Sequence, residues 1–207
     1  MPAPTLALAQ EACEFARSCC ELKSDNKMNP GMSKEKEGRP SVNRLERRRE
    51  AYKAITQLRK EYPTRNGDLD LLHARAQAAA DVGAGNCFEL SAIAFMRLAS
   101  KDVLPLEMVS VKDPGDHVFV VMGLARPLGE VARDMTTWGR GVFVCDPWAN
   151  IYTRAYLYDN WWRVQMTKWA GNNKQVAYNG KFDKPTSEVW FTSINQGKKF
   201  VDYCLDD

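Results

Sequence analysis

This 207-residue chain has only two histidines, His73 and His117. Few sites can therefore use an imidazole. No stretch approaches the roughly 20 apolar residues of a membrane span. The start, "MPAPTLALAQEACEF", lacks a basic region ahead of an apolar core, so no Sec-type signal is expected. Six cysteines stand at 13, 19, 20, 87, 145 and 204, without a single C-x-x-C pair. That irregular spacing argues against a zinc site or a disulfide scaffold and predicts free thiols in a reducing compartment. Delivery into another cell by a route that needs no signal peptide would leave the same pattern. The net charge of +3 is too small to argue for nucleic acid. There is no internal repeat and no low-complexity tract.

What is present is the composition of an ordinary globular domain, with 44% hydrophobic and 27% charged residues. Apolar positions three or four apart predict a first helix over residues 5–22, with Leu6, Ala9, Cys13, Ala16 and Cys20 inward. Residues 23–43 are polar, hold Pro30, Gly31, Gly38 and Pro40, and read as a linker. A second helix runs from Arg44 to Tyr62 and stops before Pro63, with Ala51, Ile55, Leu58 and Tyr62 in one stripe. A third follows the Asn66-Gly67 turn, with Asp68 as N-cap. The chain thus divides into an N-terminal helix and linker, 1–43, and a main domain, 44–207. The first ~40 residues are expected to be dispensable for chemistry, since a polar linker cannot bury much surface.

After Gly85 the pattern changes. "CFELSAIAFMRLAS" (87–100) is apolar nearly all round and predicts a central buried helix. "LEMVSV", "HVFVVMG" and "GVFVCD" predict strands, the last two inside a covered sheet. "DMTTWGRG" reads as a loop, and the Trp- and Tyr-rich tail from Trp148 gives no clear element boundaries.

Three residues combine into chemistry. Cys87 opens the apolar helix behind Gly83 and Gly85, which allow close approach of the chain. His117 opens a strand after Pro114-Gly115, a place expected at a sheet edge near solvent. Asp146 ends a later strand, where Pro147 stops the ladder. A thiolate is the reactive form of cysteine, and a helix N-terminus and an imidazolium both favour it. Cys87 is thus predicted to be the most reactive of the six thiols. His117 would return the proton to a leaving group, and Asp146 would fix the ring's tautomer. The Cys87 N–H faces a developing oxyanion. Of the other candidates, His73 reads as a helix-surface or core histidine, Asp116 as a turn residue and Cys145 as core. Glu89 reads as a helix-start carboxylate. Trp148 either covers the Asp–His pair or is simply core.

The stretches "GNCFELSAIAFMRL", "DHVFVVMG" and "VCDPWAN" resemble the papain-like superfamily, most closely its transglutaminase-like branch, over roughly residues 83–150. The resemblance also extends to small bacterial effector and toxin domains. It implies an α+β fold with a central nucleophile helix on an antiparallel sheet, here with an N-terminal helical extension. It further implies Cys87 as nucleophile, His117 as base and acid, and Asp146 as orienter. The chain departs from the pattern in two places. Neither the Trp nor the Asn common in classical transglutaminases follows His117, and the position six before Cys87 is Asp81 rather than a glutamine.

The expected function is a cysteine hydrolase or acyltransferase working on amide bonds through a thioester: a thiol protease, or a glutamine deamidase or transamidase. The expected substrate is a host-cell protein, reached by an effector secreted without a Sec signal; otherwise the protein is cytoplasmic. No cofactor and no metal are expected. Two alternatives remain. One is an arylamine N-acetyltransferase-like acyltransferase, which shares the Cys–His–Asp order. The other is a non-catalytic module using the helix 44–60, with its seven basic and two acidic residues, on anionic lipid or nucleic acid. Because those acids are interspersed, a solvated helix face is favoured, and neither membrane nor nucleic-acid binding is expected.

Overall fold

The computed structural model describes residues 2–29, 44–178 and 180–206. It is an α+β structure built on an antiparallel sheet. The elements, in chain order, are α1 (Leu6–Cys19), β1 (Lys27–Met28), α2 (Arg44–Glu61), α3 (Leu69–Val82) and α4 (Cys87–Ala99). Next come β2 (Leu106–Lys112), β3 (Asp116–Met122), β4 (Gly129–Val131), β5 (Phe143–Asp146) and β6 (Ile151–Arg154). The chain ends with α5 (Tyr158–Gly171), β7 (Gln175–Tyr178), β8 (Lys181–Asp183), α6 (Glu188–Gln196) and β9 (Lys198–Leu205).

Six strands pair in the order β4-β9-β2-β3-β5-β6, and β1-β7-β8 form a second small sheet. The valine-rich runs behave as their composition predicts. β2 and β3 pair over their full length from Leu106↔Met122 to Lys112↔Asp116, and both are buried along nearly all of it. β3 and β5 are interior strands, so burial on both faces replaces the alternation of a half-exposed sheet. The six-stranded sheet also contains β9, which the sequence did not delimit. It lies between β4 and β2. "DMTTWGRG" contains a short 3-10 turn, Met135–Trp138, capped by the Asp134 side chain.

α4 is the central helix. Cys87, Glu89, Leu90, Ser91, Ala92, Ile93, Ala94, Phe95 and Leu98 are all buried. α3 starts where expected, with Asp68 Oδ1 accepting from Leu71 N–H at 3.0 Å. It ends at Gly83, whose φ of 68° is the left-handed cap conformation that favours glycine.

The N-terminal helix is not set apart from the main domain. Ala9, Ala12, Cys13 and Ala16 of α1 are fully buried in the same core as α4 and the sheet, whereas Leu6 is exposed. The inward stripe is made of small residues, so α1 approaches its neighbours closely. Most of the linker, residues 30–43, lies outside the described residues. The segment before it is tied down. Leu22 N–H donates to Gly83 O at 2.9 Å, Ser24 Oγ donates to Gly85 O at 2.7 Å, and β1 pairs with β7. α1 therefore fills part of the core, which counts against setting the first ~40 residues aside as a separate extension.

A larger side chain on this face has nowhere to go. Ala12→Leu should lower the unfolding free energy in urea by about 1–3 kcal/mol through overpacking. The same change at exposed Ala7 should leave it nearly unchanged.

Candidate active site

Glu89 organises the start of α4. Its Oε2 accepts from the Asn86 N–H at 2.9 Å, closing the helix start from below. Its Oε1 takes Arg75 Nη2 at 2.5 Å and Arg59 Nε at 3.5 Å. Burial alone pushes this carboxyl up. The Arg59 and Arg75 guanidiniums and the Asn86 N–H outweigh that and hold it below the usual carboxylate range. Glu89 is thus a buried anion that ties α2 and α3 to the first turn of α4. Gly85 fits beside it because a Cβ there would stand 2.8 Å from the Glu89 Cβ.

Cys87, the first residue of α4, is 8% exposed. The Val118 N–H is among the influences that lower its thiol, and Ser91 Oγ, one turn on, donates to Val118 O at 3.0 Å. The β3–β5 ladder runs only from Val120 to Met122. In the stretch of β3 that β5 does not reach, α4 side chains bond the main chain instead. Ser91 thereby ties α4 to the residue that follows His117.

His117 lies in the deep interior and not at a solvent-facing edge as expected. It is 1% exposed, between β2 and the Trp148–Trp162 wall. Its ring centroid is 5.1 Å from Trp148 and 4.8 Å from Trp162. The physical reason is the tail, whose helix α5 supplies Trp162 and Tyr158 to roof this face. His117 Nε2 meets Asp146 Oδ2 at 2.9 Å. Nδ1 is buried and has no hydrogen-bond partner among the described residues.

Asp146 is fully buried and accepts three hydrogen bonds. Tyr158 Oη donates to Oδ2 at 2.8 Å and the Ala149 N–H to Oδ1 at 3.0 Å, besides the His117 contact. Burial raises this carboxyl, but His117 and the N–H and O–H donors outweigh it and hold it low. Tyr158 is a site residue that the sequence reading missed. It lies twelve residues beyond Asp146, in a tail whose elements the periodicity did not resolve.

The remaining candidates separate clearly. His73 is exposed on α3, and Asp116 is exposed at the start of β3. Cys145 is core, fully buried beside Cys13. Trp148 is both core and cover, fully buried and packed on the His117 ring. Among the described residues no three His, Cys, Asp or Glu side chains come together as a metal-holding group, and no helix is long and apolar enough to cross a membrane.

The surroundings of Cys87 act on its thiol in the direction opposite to that of a helix N-terminus. Burial pushes the Cys87 thiol far above its ordinary value, with the Asp116 and Glu89 charges adding to it. Arg59 and the Val118 N–H offset only part of the rise. With the site closed, this direction works against a preformed thiolate at Cys87. The arrangement can still do chemistry. The Nε2 of His117 is engaged by Asp146, which leaves Nδ1 as the ring nitrogen open to another group.

No family model, no curated protein and no solved structure matches the chain.

Brief iodoacetamide labelling at neutral pH, read by peptide mapping, should mark the partly exposed Cys19 before the buried Cys87. Glu89→Ala should cost about 3–5 kcal/mol in urea unfolding, because it strands Arg75 without its buried partner. Both Glu89 and Asp146 sit below their ordinary values of 4.5 and 3.8 in the folded chain. The stability they add is present above those values and is lost as pH falls through the folded ones. The unfolding free energy should therefore drop between about pH 5 and pH 3, and less steeply in Glu89→Gln.

Proposed function

We propose that this protein is a Cys–His–Asp thiol enzyme of papain-like, transglutaminase-like architecture that acts on amide bonds through a thioester. One observation carries the reading. The His117–Asp146 pair is buried and hydrogen-bonded through Nε2, Nδ1 of His117 is left unpartnered among the described residues, and the N–H of the next residue, Val118, is among the influences on the Cys87 thiol. A buried nitrogen without a partner is costly in a purely structural role, and this one has the form of a base awaiting a proton.

The protonated thiol sets the order of events. Substrate entry opens the site. His117 Nδ1 then takes the Cys87 proton as sulfur attacks the amide carbon, so base catalysis and attack coincide. The imidazolium is stabilised by Asp146. The oxyanion faces the N–H groups of the first turn of α4, which have no acceptor within the helix. The C–N bond breaks, His117 passes the proton to the departing amine, and a thioester remains on Cys87. Water or an amine, activated by His117, then attacks the thioester and returns the thiol. Cleavage, deamidation and transamidation differ only in which amide enters and which nucleophile follows. The substrate class that fits is a protein. The reading of the chain as an effector acting on host proteins belongs with this proposal and rests on the sequence resemblance.

Intact-mass analysis of candidate protein substrates separates the reactions. Deamidation adds about one dalton, cleavage gives two fragments and transamidation adds an amine, all following from the second nucleophile. Hydroxylamine should intercept the thioester. Cys87→Ala should abolish every such product, and His117→Ala nearly so. Because no thiolate is preformed, Asp146→Asn should behave as in serine triads and lower turnover on the order of 10³–10⁴. A full rate in Cys87→Ala would end the proposal.

A further inference from the structure

The N-terminal residues that the sequence sets aside from the site hold it from behind. Three consecutive main-chain carbonyls leave the turn that follows the Asp146 carboxylate, and each meets a side chain from this segment. Cys13 Sγ lies 3.7 Å from Asp146 O. Arg17 Nη1 donates to Pro147 O at 2.9 Å, and Lys27 Nζ donates to Trp148 O at 2.7 Å. Trp148 Nε1 donates back to Asn26 Oδ1 at 2.9 Å.

We propose that Arg17 and Lys27 are positioning residues for Asp146: by holding the Pro147 and Trp148 carbonyls they fix the turn that aims its carboxylate at His117. The inference rests on the triad reading given above. Its mechanical core is the Ala149 N–H, which donates to Asp146 Oδ1. Through that bond the shape of the turn and the direction of the carboxylate become one object. If the turn relaxes, Oδ2 leaves Nε2.

Two features favour positioning over ordinary docking of a terminal segment. The two cations repel each other, since the Arg17 charge is among the causes that lower Lys27. Burial is the larger cause, and together with Lys174 and Arg17 it brings Lys27 down to about 7, against the pull of Asp146 and Cys87. Like charges are thus gathered at one turn, where main-chain carbonyls and the faces of Trp148 and Trp169 receive them. The Lys27 ammonium stands 4.6 and 5.2 Å from those ring centroids. The Trp148 indole so held also walls the His117 ring.

The test uses the full chain with Arg17→Met and Lys27→Met, singly and together, and Lys27→Arg as the conservative change. The first readout is amide hydrogen exchange. Ala149 should exchange at least ~10-fold faster in the double variant while amides of the β2–β9 ladder keep their protection, which also shows that the fold survives. The second readout is the part of Cys87 alkylation by iodoacetamide that depends on His117. It is taken as the ratio of rates with and without His117→Ala in each background, so that changes in access cancel. The double Met variant should lower this ratio as Asp146→Asn does and add nothing on top of Asp146→Asn, whereas Lys27→Arg should preserve it. Unchanged Ala149 exchange overturns the proposal, and so does a loss that adds to that of Asp146→Asn. A ratio of one in the unsubstituted protein is a different result. It removes the Cys–His reading, and Ala149 exchange alone then decides whether these cations hold the turn.

Discussion

A carboxylate with no water around it must be given donors, and much of this structure is arranged to give them to Asp146. Its three partners come from three places: a strand paired on both sides (His117), the turn beyond Pro147 (Ala149) and the first turn of α5 (Tyr158). None can move alone without leaving a buried charge short of a bond, which costs several kcal/mol. That requirement fixes where β5 ends, how the chain turns after it, and where α5 docks. Trp148 and Trp162 then close over the imidazole because the same turn and the same helix carry them. The aromatic wall follows from the placement of the acid.

A second buried anion does the same work on the opposite side. Glu89 fastens the Cys87 turn to α2 and α3 as Asp146 fastens the His117 strand to α5. The two halves of the site are therefore set by separate electrostatic anchors and meet at Val118. Burial is the main influence that raises the Cys87 thiol, and the charges of Asp116 and of the Glu89 anchor add to it.

Local chemistry made part of this legible in the sequence. The apolar circumference of residues 87–100 marks a buried helix, Asp68 marks a cap, and the valine runs mark β2, β3 and β5, because each signal lies within a few residues of what it specifies. Cys87, His117 and Asp146 stand out for the same reason, each at the end of a well-marked element. What was illegible depends on distant partners. The burial of His117 is set by α5, whose mixed Trp, Arg and Lys content obscures its period. Tyr158 becomes a site residue only once that helix is placed. The inward face of α1 is written in alanine and cysteine, and the prominent Leu6 points outward, so periodicity found the helix while its role in the core stayed hidden. The rise in the Cys87 thiol is a property of the closed site, which no local motif encodes.

The strand order has a consequence for how the protein is made. β9 is the last of the described strands yet lies inside the sheet, between β4 and β2. Until residue 205 has been synthesised, β2 presents a long, apolar, unpaired edge, and β4 has nothing to join. Such an edge is what other chains add to. The nascent protein must either stay unfolded until its final strand arrives or have that edge shielded by a chaperone. Ribosomes that stall just short of β9 would release a chain disposed to aggregate, although Cys87, His117 and Asp146 would already be present.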